Sequence, residues 1–259
     1  MTSSTPANRR QPLGASAPDL VVIGAMKCGT SALHALLDHH PDVAMSQPKE
    51  LNFFIGPAAP PAGPRAWTTG NWARGTAWYA GHFPAGVRVR GESSPGYTSP
   101  DHPEAAARMA AVIPGARLVY LVRDPIDRAL SQYRHHHAEG GERRPPAAAL
   151  LDPASQYIAR SRYHERLLPF LAHFPRSRIL IVAQEDLRAR PRDVLRRVFA
   201  FAGVDDAFWC DAYDARPRPD RATAALDGDL RARLAAALRD DVARLRTLVD
   251  HPLPATWTL

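Results

Sequence analysis

The sequence has little lysine and little cysteine. Only two of its 33 basic residues are lysines, Lys27 and Lys49, and the others are arginines. The two cysteines, Cys28 and Cys210, are too few for the disulfide framework of a small secreted protein. In a chain that uses arginine for almost all of its positive charge, the two lysines indicate positions where an ammonium group has a particular role.

Long apolar runs are also missing. No segment approaches the roughly 18 to 20 apolar residues that are needed to cross a bilayer. Residues 1–18 lack the apolar stretch of a secretory signal. We therefore expect a cytoplasmic protein that does not insert stably into a membrane.

Length, composition and charge narrow the class of protein. The 259 residues are 45% hydrophobic, which excludes an intrinsically disordered or collagen-like chain. The length predicts a single domain over 19–259, preceded by a flexible tail over 1–18. The net charge of +7 comes from arginines interleaved with Ala, Leu and Asp, as on a solvated helix face. This diffuse charge suits a small anionic ligand as well as a polyanion, and we expect no nucleic acid partner.

Apolar runs and amphipathic segments alternate along the chain. This order predicts an α/β fold with a central, mainly parallel sheet flanked by helices. A loop or lid rich in Gly, Pro and Trp is expected over 56–75. The predicted strands are 19–24, 43–45, 87–92, 116–122 and 178–183, and the main predicted helices are 30–38, 103–112, 124–138, 157–174, 191–202 and 229–249.

A glycine loop joins the first predicted strand to the first helix. Gly24 and Gly29 let the backbone curl so that N–H groups converge beside a helix N-terminus, which is a cradle for phosphate. The loop of nucleoside triphosphate enzymes has lysine directly after the second glycine. Here Thr30 occupies that position, and the lysine lies inside the loop at Lys27. The alternative is a glycine turn that binds no ligand.

A second anion site is predicted where another strand ends. Arg123 follows the buried run 116–122, so it should face the carboxyl edge of the sheet, where open α/β folds bind ligands. Ser131 follows on the next helix and can offer a hydroxyl to the same phosphate. The alternative is that Arg123 pairs with Asp124 or Asp127 to fix the turn. Two anion sites on strand ends favour a ligand that is phosphorylated in two places.

Several motifs together resemble one enzyme family. They strongly resemble the sulfotransferases that use 3′-phosphoadenosine 5′-phosphosulfate (PAPS), in the branch related to the heparan sulfate sulfotransferases and of a soluble bacterial type. The motifs lie at 20–33, 40–43, 49–54, 91–97 and 121–133.

The resemblance implies a P-loop-like three-layer fold and a set of functional residues. It implies PAPS as co-substrate, 3′-phosphoadenosine 5′-phosphate (PAP) as product, and no metal requirement. The 5′-phosphosulfate would be held by Lys27, Cys28, Gly29, Thr30 and Ser31, and the 3′-phosphate by Arg123 and Ser131, with Tyr163 as a further 3′-phosphate or adenine contact and Glu50 as the catalytic base.

Elementary chemistry agrees with two of these roles. Charge builds on the departing phosphate during sulfuryl transfer, and the ammonium group of Lys27 can neutralise it. The acceptor hydroxyl or amine must lose a proton, which Glu50 can accept. Two other interpretations of Glu50 stay open: a hydrogen bond to a ribose, or a surface carboxylate at a helix start. The acceptor is expected to be a carbohydrate, a lipid or a secondary metabolite.

Five further side chains are candidates for contact with the acceptor. Lys49 can steer an anionic acceptor or tune the base, or it can be merely solvated. Glu92 should lie near the same sheet edge, against the acceptor or behind the residues that contact it. His135 belongs to a run of three histidines that splay about 100° apart on a helix and therefore cannot share one metal ion. Trp67 and Trp72 can stack on a sugar or an aromatic group.

The C-terminal part departs from the heparan-type pattern. Those relatives close a cysteine-bridged loop with a lysine over the 3′-phosphate, whereas this chain has arginines at 216–221 and no such cysteine pair. Arg216 or Arg218 is the candidate replacement. Two other functions stay open: a P-loop kinase, which should have lysine at position 30, and a nucleotide-binding module without catalytic activity.

Overall fold

The structure is a computed structural model that describes residues 12–14, 17–57, 70–214, 226–257 and 259. Five strands form its sheet, in the order β2-β3-β1-β4-β5. Every pair of neighbours in this sheet is parallel, which confirms the predicted sheet. The strands are β1 Leu20–Gly24, β2 Val43–Met45, β3 Val89–Ser93, β4 Arg117–Val122 and β5 Ile179–Ala183.

Helices pack on the sheet to give the three-layer α/β fold. Asp124 caps the N-terminus of α4, because its Oδ1 accepts the N–H groups of Ile126 and Asp127, and this confirms the predicted helix start. The helices are α1 Thr30–Asp38, α2 Gly75–Ala80, α3 Ala105–Val112, α4 Pro125–Ala138, α5 Pro146–Leu150, α6 Gln156–Ser161, α7 Tyr163–Leu171, α8 Gln184–Ala189, α9 Pro191–Ala202 and α10 Gly228–Arg246.

One predicted helix is wrong in its continuity. The segment 157–174 forms two helices, α6 and α7, because Arg162 between them has a ψ of 76°, far from the helical value. The apolar spacing continues across this break, so periodicity alone could not reveal it. The break lets α6 pack on α4 while α7 packs on α3 and α10.

Burial explains why the strands form. All residues of β1 and β5 are buried, as expected for strands covered by helices on both faces. The main apolar core surrounds the sheet. A separate apolar cluster joins α4 to α6 and α10 through side chains that include Ile126, Leu130 and Leu234. None of the described helices is both long enough and apolar enough to span a bilayer.

The sheet topology places the candidate residues. Because the strands are parallel, their carboxyl ends share one edge of the sheet. The glycine loop follows β1 at the centre of that edge, and Arg123 follows its neighbour β4. The segment that holds Lys49 and Glu50 lies on the other side of β1, where the Glu50 N–H donates to the carbonyl of Ser93 at the end of β3.

Candidate active site

The loop after β1 requires glycine at both ends. A Cβ added at Gly24 would collide with the Thr98 side chain, and one added at Gly29 would lie 3.0 Å from Nε2 of Gln184. Gly29 has a φ of 87°, in the left-handed region that favours glycine. Lys27 also lies in that region, with a φ of 70°, which is uncommon for a residue with a side chain. The loop therefore has a specific backbone shape that places Lys27 at its turn.

The N-terminus of α1 is suited to an anion. Gly29 is the N-cap residue and brings no side chain to satisfy the first N–H groups of the helix, whereas Asp124 does so for α4. The first turn of α1, which includes Thr30 and Ser31, has no acidic residue. The helix dipole adds positive potential at this end. The loop and the helix start together fit a phosphate or sulfate group.

Lys27 lies in a positive environment. Partial burial is the largest cause of the lowered pKa of its ammonium group; Glu139 acts in the opposite direction, while Arg123 and Arg128 lower the pKa further. Arg128 is fully buried, and its guanidinium donates to Ser161, Gln132 and the carbonyl of Tyr157 at 2.6 to 2.9 Å. The interior thus holds fixed positive charge close to the loop, which favours a multiply charged anion.

Arg123 sits where the sequence predicts it. It is 7% exposed at the end of β4, and one of its terminal nitrogens lies 3.9 Å from Oδ2 of Asp127. Ser131 is one turn further along α4 than Asp127, so both lie on the same face of that helix. The predicted pair of guanidinium and hydroxyl therefore belongs to one surface, and Asp127 is part of it.

Tyr163 and Cys28 are interior residues. The Tyr163 hydroxyl donates to the carbonyl of Arg123 at 2.9 Å and lies 3.5 Å from the Sγ of Cys28. Both side chains have no exposure, and burial raises the pKa of the Cys28 thiol to about 11, so this cysteine stays protonated and unreactive. Tyr163 connects the glycine loop to the end of β4 from behind. Its predicted direct contact with the nucleotide stays a prediction.

Glu50 is presented on the opposite side of the loop. Its φ is 65°, and its side chain is 47% exposed. Its Oε1 lies 2.5 Å from the Nζ of Lys49. A carboxylate that is accessible and paired with a lysine can accept a proton from a bound hydroxyl or amine. This geometry is compatible with the predicted base and with the predicted role of Lys49.

Glu92 lies behind this segment, fully buried at the end of β3. Tyr79 and Tyr97 donate hydroxyl hydrogen bonds to its Oε1, and Ser94 donates one to its Oε2. Burial raises the pKa of this carboxyl to about 7, against the three hydrogen bonds, which lower it. Glu92 therefore lies behind the segment that presents Glu50, and its predicted relation to the acceptor stays a prediction.

Of the remaining predicted residues, two contact other side chains, and three lie outside the described residues. Trp72 packs on Phe53, with ring centroids 5.3 Å apart, and the guanidinium of Arg108 covers its ring at 4.8 Å. His135 is exposed near the end of α4, with Nε2 3.4 Å from Oε1 of Glu139. Trp67, Arg216 and Arg218 lie outside the described residues.

Sequence reasoning missed several residues that shape this edge. His34 on α1 is buried, and its Nδ1 lies 3.0 Å from Oγ of Ser93. Arg160 places a terminal nitrogen 3.3 Å from Sδ of Met26 in the glycine loop. Both residues fall within helical patterns typical of ordinary packing. Only the fold reveals which strand end each one faces.

Comparison with known proteins identifies the class. The fold and its polar edge define a three-layer α/β protein suited to a phosphorylated ligand. A model described as "Sulfotransferase family" matches residues 18–208. The structure of a sulfotransferase from Alicyclobacillus acidocaldarius is 30% identical, has a TM-score of 0.76, and is matched over 93% of this chain and 98% of that one. The chain belongs to the sulfotransferase family, as the motifs predict.

Two animal relatives have names that refer to heparan sulfate. The heparan sulfate glucosamine 3-O-sulfotransferase 3B1 of Mus musculus is 32% identical over 197 residues, which cover 72% of this chain and 46% of the relative. The bifunctional heparan sulfate N-deacetylase/N-sulfotransferase 1 of Caenorhabditis elegans is 30% identical over 196 residues, which cover 70% of this chain and 21% of the relative. The chain thus spans less than half the length of either relative.

Proposed function

We propose that this sulfotransferase moves the sulfuryl group of PAPS to a hydroxyl or amine of a carbohydrate acceptor. The observation that carries the proposal is the convergence of three segments at one sheet edge: the Lys27 loop after β1, Arg123 after β4, and the Lys49–Glu50 segment beside β3. Two of these segments suit anions, and the third presents an accessible carboxylate.

Each of the two anion-binding segments binds a different phosphate group of PAPS. The glycine loop and the start of α1 hold the 5′-phosphosulfate through backbone N–H groups, Thr30 and Ser31. Arg123, with Ser131, holds the 3′-phosphate. This assignment explains why the ligand must carry phosphate in two places. The residues present fit such a ligand without a metal ion, because fixed ammonium and guanidinium groups supply the positive charge.

Lys27 and Glu50 carry the chemistry. The acceptor oxygen or nitrogen forms a bond to sulfur as the bond from sulfur to the phosphate oxygen breaks, and PAP leaves. Lys27 holds its positive charge against the oxygen that departs, where negative charge grows in the transition state. Glu50 takes the proton from the acceptor. Lys49, which pairs with Glu50, is close enough to bring an anionic acceptor to the carboxylate.

The relatives support a carbohydrate as acceptor. Both animal relatives are named for heparan sulfate, and one is named for glucosamine. An exposed Glu50 beside a lysine suits a hydroxylated acceptor of mixed charge. Lipids and secondary metabolites therefore serve as comparison acceptors.

Nucleotide-dependent stability and sulfate transfer test the function. PAP at 100 times its dissociation constant should raise the free energy of unfolding by about 2.7 kcal/mol. ATP at the same concentration should raise it much less. Labelled PAPS should then transfer sulfate to a pool of amino-sugar glycans, with EDTA present, and transfer to lipids and aromatic alcohols should be weaker. Equal stabilisation by ATP, or no transfer to any acceptor, contradicts the proposal.

A further inference from the structure

Two hydroxyl groups connect the buried Glu92 carboxylate to the segment that presents Glu50. The Ser94 hydroxyl donates to Oε2 of Glu92 at 3.0 Å and accepts the N–H of Asn52 at 3.0 Å. The Tyr97 hydroxyl donates to Oε1 of Glu92 at 2.8 Å and accepts the N–H of Phe53 at 3.0 Å. Each hydroxyl therefore forms one bridge from the carboxylate to the backbone that follows Glu50.

The segment after Glu50 needs such support. Glu50 has a φ of 65°, in the left-handed region that is unfavourable for glutamate, and Asn52, a residue type that tolerates this region better, has a φ of 48°. Such a backbone persists only when its surroundings hold it. Beyond the two bridges, the Glu50 N–H donates to the carbonyl of Ser93, and the Asn71 side chain donates to the carbonyl of Leu51 at 2.8 Å.

Because the Glu92 carboxylate accepts hydrogen bonds, it determines which way the two hydroxyl groups point. An ionised carboxylate only accepts hydrogen bonds, so both hydroxyls must turn their hydrogens toward it. Their oxygen lone pairs then face the loop, where the N–H groups of Asn52 and Phe53 meet them. An amide at position 92 would keep one accepting oxygen and would place an NH₂ group against at least one of these hydroxyls, which removes the reason for the orientation of that bridge.

We propose that Glu92 is a positioning residue, whose carboxylate orients Ser94 and Tyr97 and thereby holds residues 50–53 in the conformation that presents Glu50 to the acceptor. The role of Glu50 in this statement rests on the proposed function. The fixation of residues 50–53 rests only on the contacts and can be tested without any acceptor.

Amide hydrogen exchange at pH 8 tests the fixation. Glu92→Gln should speed the exchange of the Asn52 and Phe53 amides at least tenfold relative to the amides of β4, although Glu92 touches neither amide directly. Tyr79→Phe is the matched control. Among the described residues, the Tyr79 hydroxyl bonds Oε1 of Glu92 at 2.5 Å without reaching the loop. Tyr79→Phe should change the exchange rates of the Asn52 and Phe53 amides by less than threefold.

Two results would overturn the fixation. One is an equal increase of the amide exchange rates in the loop and in the sheet of Glu92→Gln, which would indicate only a general loss of stability. The other is an unchanged loop in that variant.

Kinetics test the consequence for Glu50. With PAPS and de-N-sulfated heparin as the probe acceptor, Glu92→Gln and Tyr97→Phe should each lower kcat about tenfold and leave the Kd of PAP unchanged. Tyr79→Phe should keep nearly the full kcat. In a Glu50→Gln background, Glu92→Gln should cause no further loss, because residues that act through one another are not additive.

The two levels of the proposal fail separately. An additional full loss of kcat in the double variant contradicts positioning through Glu50. If the unaltered protein transfers no sulfate at all, the proposed function fails, while hydrogen exchange still decides whether Glu92 holds the loop.

Discussion

The hydroxyl of Tyr163 donates a hydrogen bond of 2.9 Å to the main-chain carbonyl of Arg123. The main-chain N–H of Arg123 also points to the same hydroxyl, at 3.3 Å. A single buried side chain on α7 thus fixes the peptide groups on both sides of the Arg123 Cα. Because the side chain of Arg123 starts from that Cα, Tyr163 helps to fix the position of Arg123, the candidate residue for the 3′-phosphate.

We predict that Tyr163→Phe lowers both stability and nucleotide affinity. The variant leaves buried polar groups of Arg123 without their partner, which typically costs about 1 to 3 kcal/mol of unfolding free energy. The affinity for PAP should fall several-fold because Arg123 loses its fixed backbone. Urea unfolding and calorimetric titration measure the two effects.

Tyr133→Phe is the matched control for this prediction. Tyr133 lies further along α4, and its hydroxyl donates to the carbonyl of Arg144 at 2.9 Å. This variant should lose comparable stability and keep the full affinity for PAP. Equal losses of affinity in both variants would show that Tyr163 has no special relation to Arg123.

We expect Arg123→Ala to discriminate between nucleotides. A hydrogen bond to a charged group is worth about 1.5 to 3 kcal/mol, so the affinity for PAP should fall at least tenfold. Adenosine 5′-phosphosulfate, which has no 3′-phosphate, should lose much less. Arg117→Ala, at the start of the same strand, serves as control because Arg117 donates to the carbonyl of Ala202 at the opposite end of β4. A similar loss for both nucleotides in Arg123→Ala would remove Arg123 from the 3′-phosphate.

Much of the fold follows from local sequence signals. The strand ends are set by buried β-branched runs that stop at glycine or a charged residue, as at Gly24 and Arg123. The start of α4 follows from Asp124 and Pro125, whose cap and fixed φ act within one turn. The parallel sheet then brings the glycine loop and Arg123 to one edge. These parts of the site could be predicted because each depends on its neighbours in sequence.

The rest depends on contacts between distant residues. Tyr163 pairs with Arg123 across 40 residues, and Asn52 with Ser94 across 42. No periodicity or motif encodes such a pair. The left-handed backbone at Glu50 is equally hidden, because glutamate does not favour it and only the surrounding hydrogen bonds hold it there.

Lys27 should limit activity at alkaline pH. Partial burial, with Arg123 and Arg128 nearby, lowers the pKa of its ammonium group, although Glu139 opposes the shift. Its charge is therefore lost at a lower pH than that of an ordinary lysine. The value of kcat/KM for PAPS, which reports ionisations of the free enzyme, should fall on the alkaline side at that pH.

Replacement of each lysine by arginine tests this assignment. Lys27→Arg should move the alkaline fall to higher pH, since a guanidinium does not titrate there, even where the overall rate decreases. Lys49→Arg should leave the position of the fall unchanged. An alkaline fall that stays in place in Lys27→Arg would assign it to another group.

The variant Glu50→Gln separates chemistry from binding. A general base contributes about 10² to 10⁴ in rate, so kcat should decrease within that range. The Kd of PAP should stay unchanged, because Glu50 lies on the opposite side of the glycine loop from Arg123. Glu165→Gln is the control: this side chain is 46% exposed, against 47% for Glu50, and pairs with Arg162 and Arg166. Turnover that survives in Glu50→Gln at the level of the control excludes the base role.

Glu92 should make the stability of the protein depend on pH near neutrality. Its pKa rises from an ordinary 4.5 to about 7 because burial penalises the charged carboxylate. Between these two values the unfolded chain binds fewer protons than the folded one, so the free energy of unfolding falls as the pH rises. At 1.36 kcal/mol per pKa unit, this carboxyl stabilises the fold fully below pH 4.5 and loses about 3 kcal/mol by the time it is ionised.

The difference between the unaltered protein and Glu92→Gln isolates this contribution. Measured by urea unfolding from pH 3 to pH 8, the advantage of the unaltered protein over the variant should shrink steadily above pH 4.5. Glu142→Gln is a control of opposite sign, since hydrogen bonds from Arg144 lower the pKa of Glu142 to about 2. The advantage of the unaltered protein over that variant should instead shrink as the pH falls below 4.5. A constant difference for Glu92→Gln across the range would mean that this carboxyl has the same pKa in the folded and the unfolded chain, because its three hydroxyl partners balance its burial.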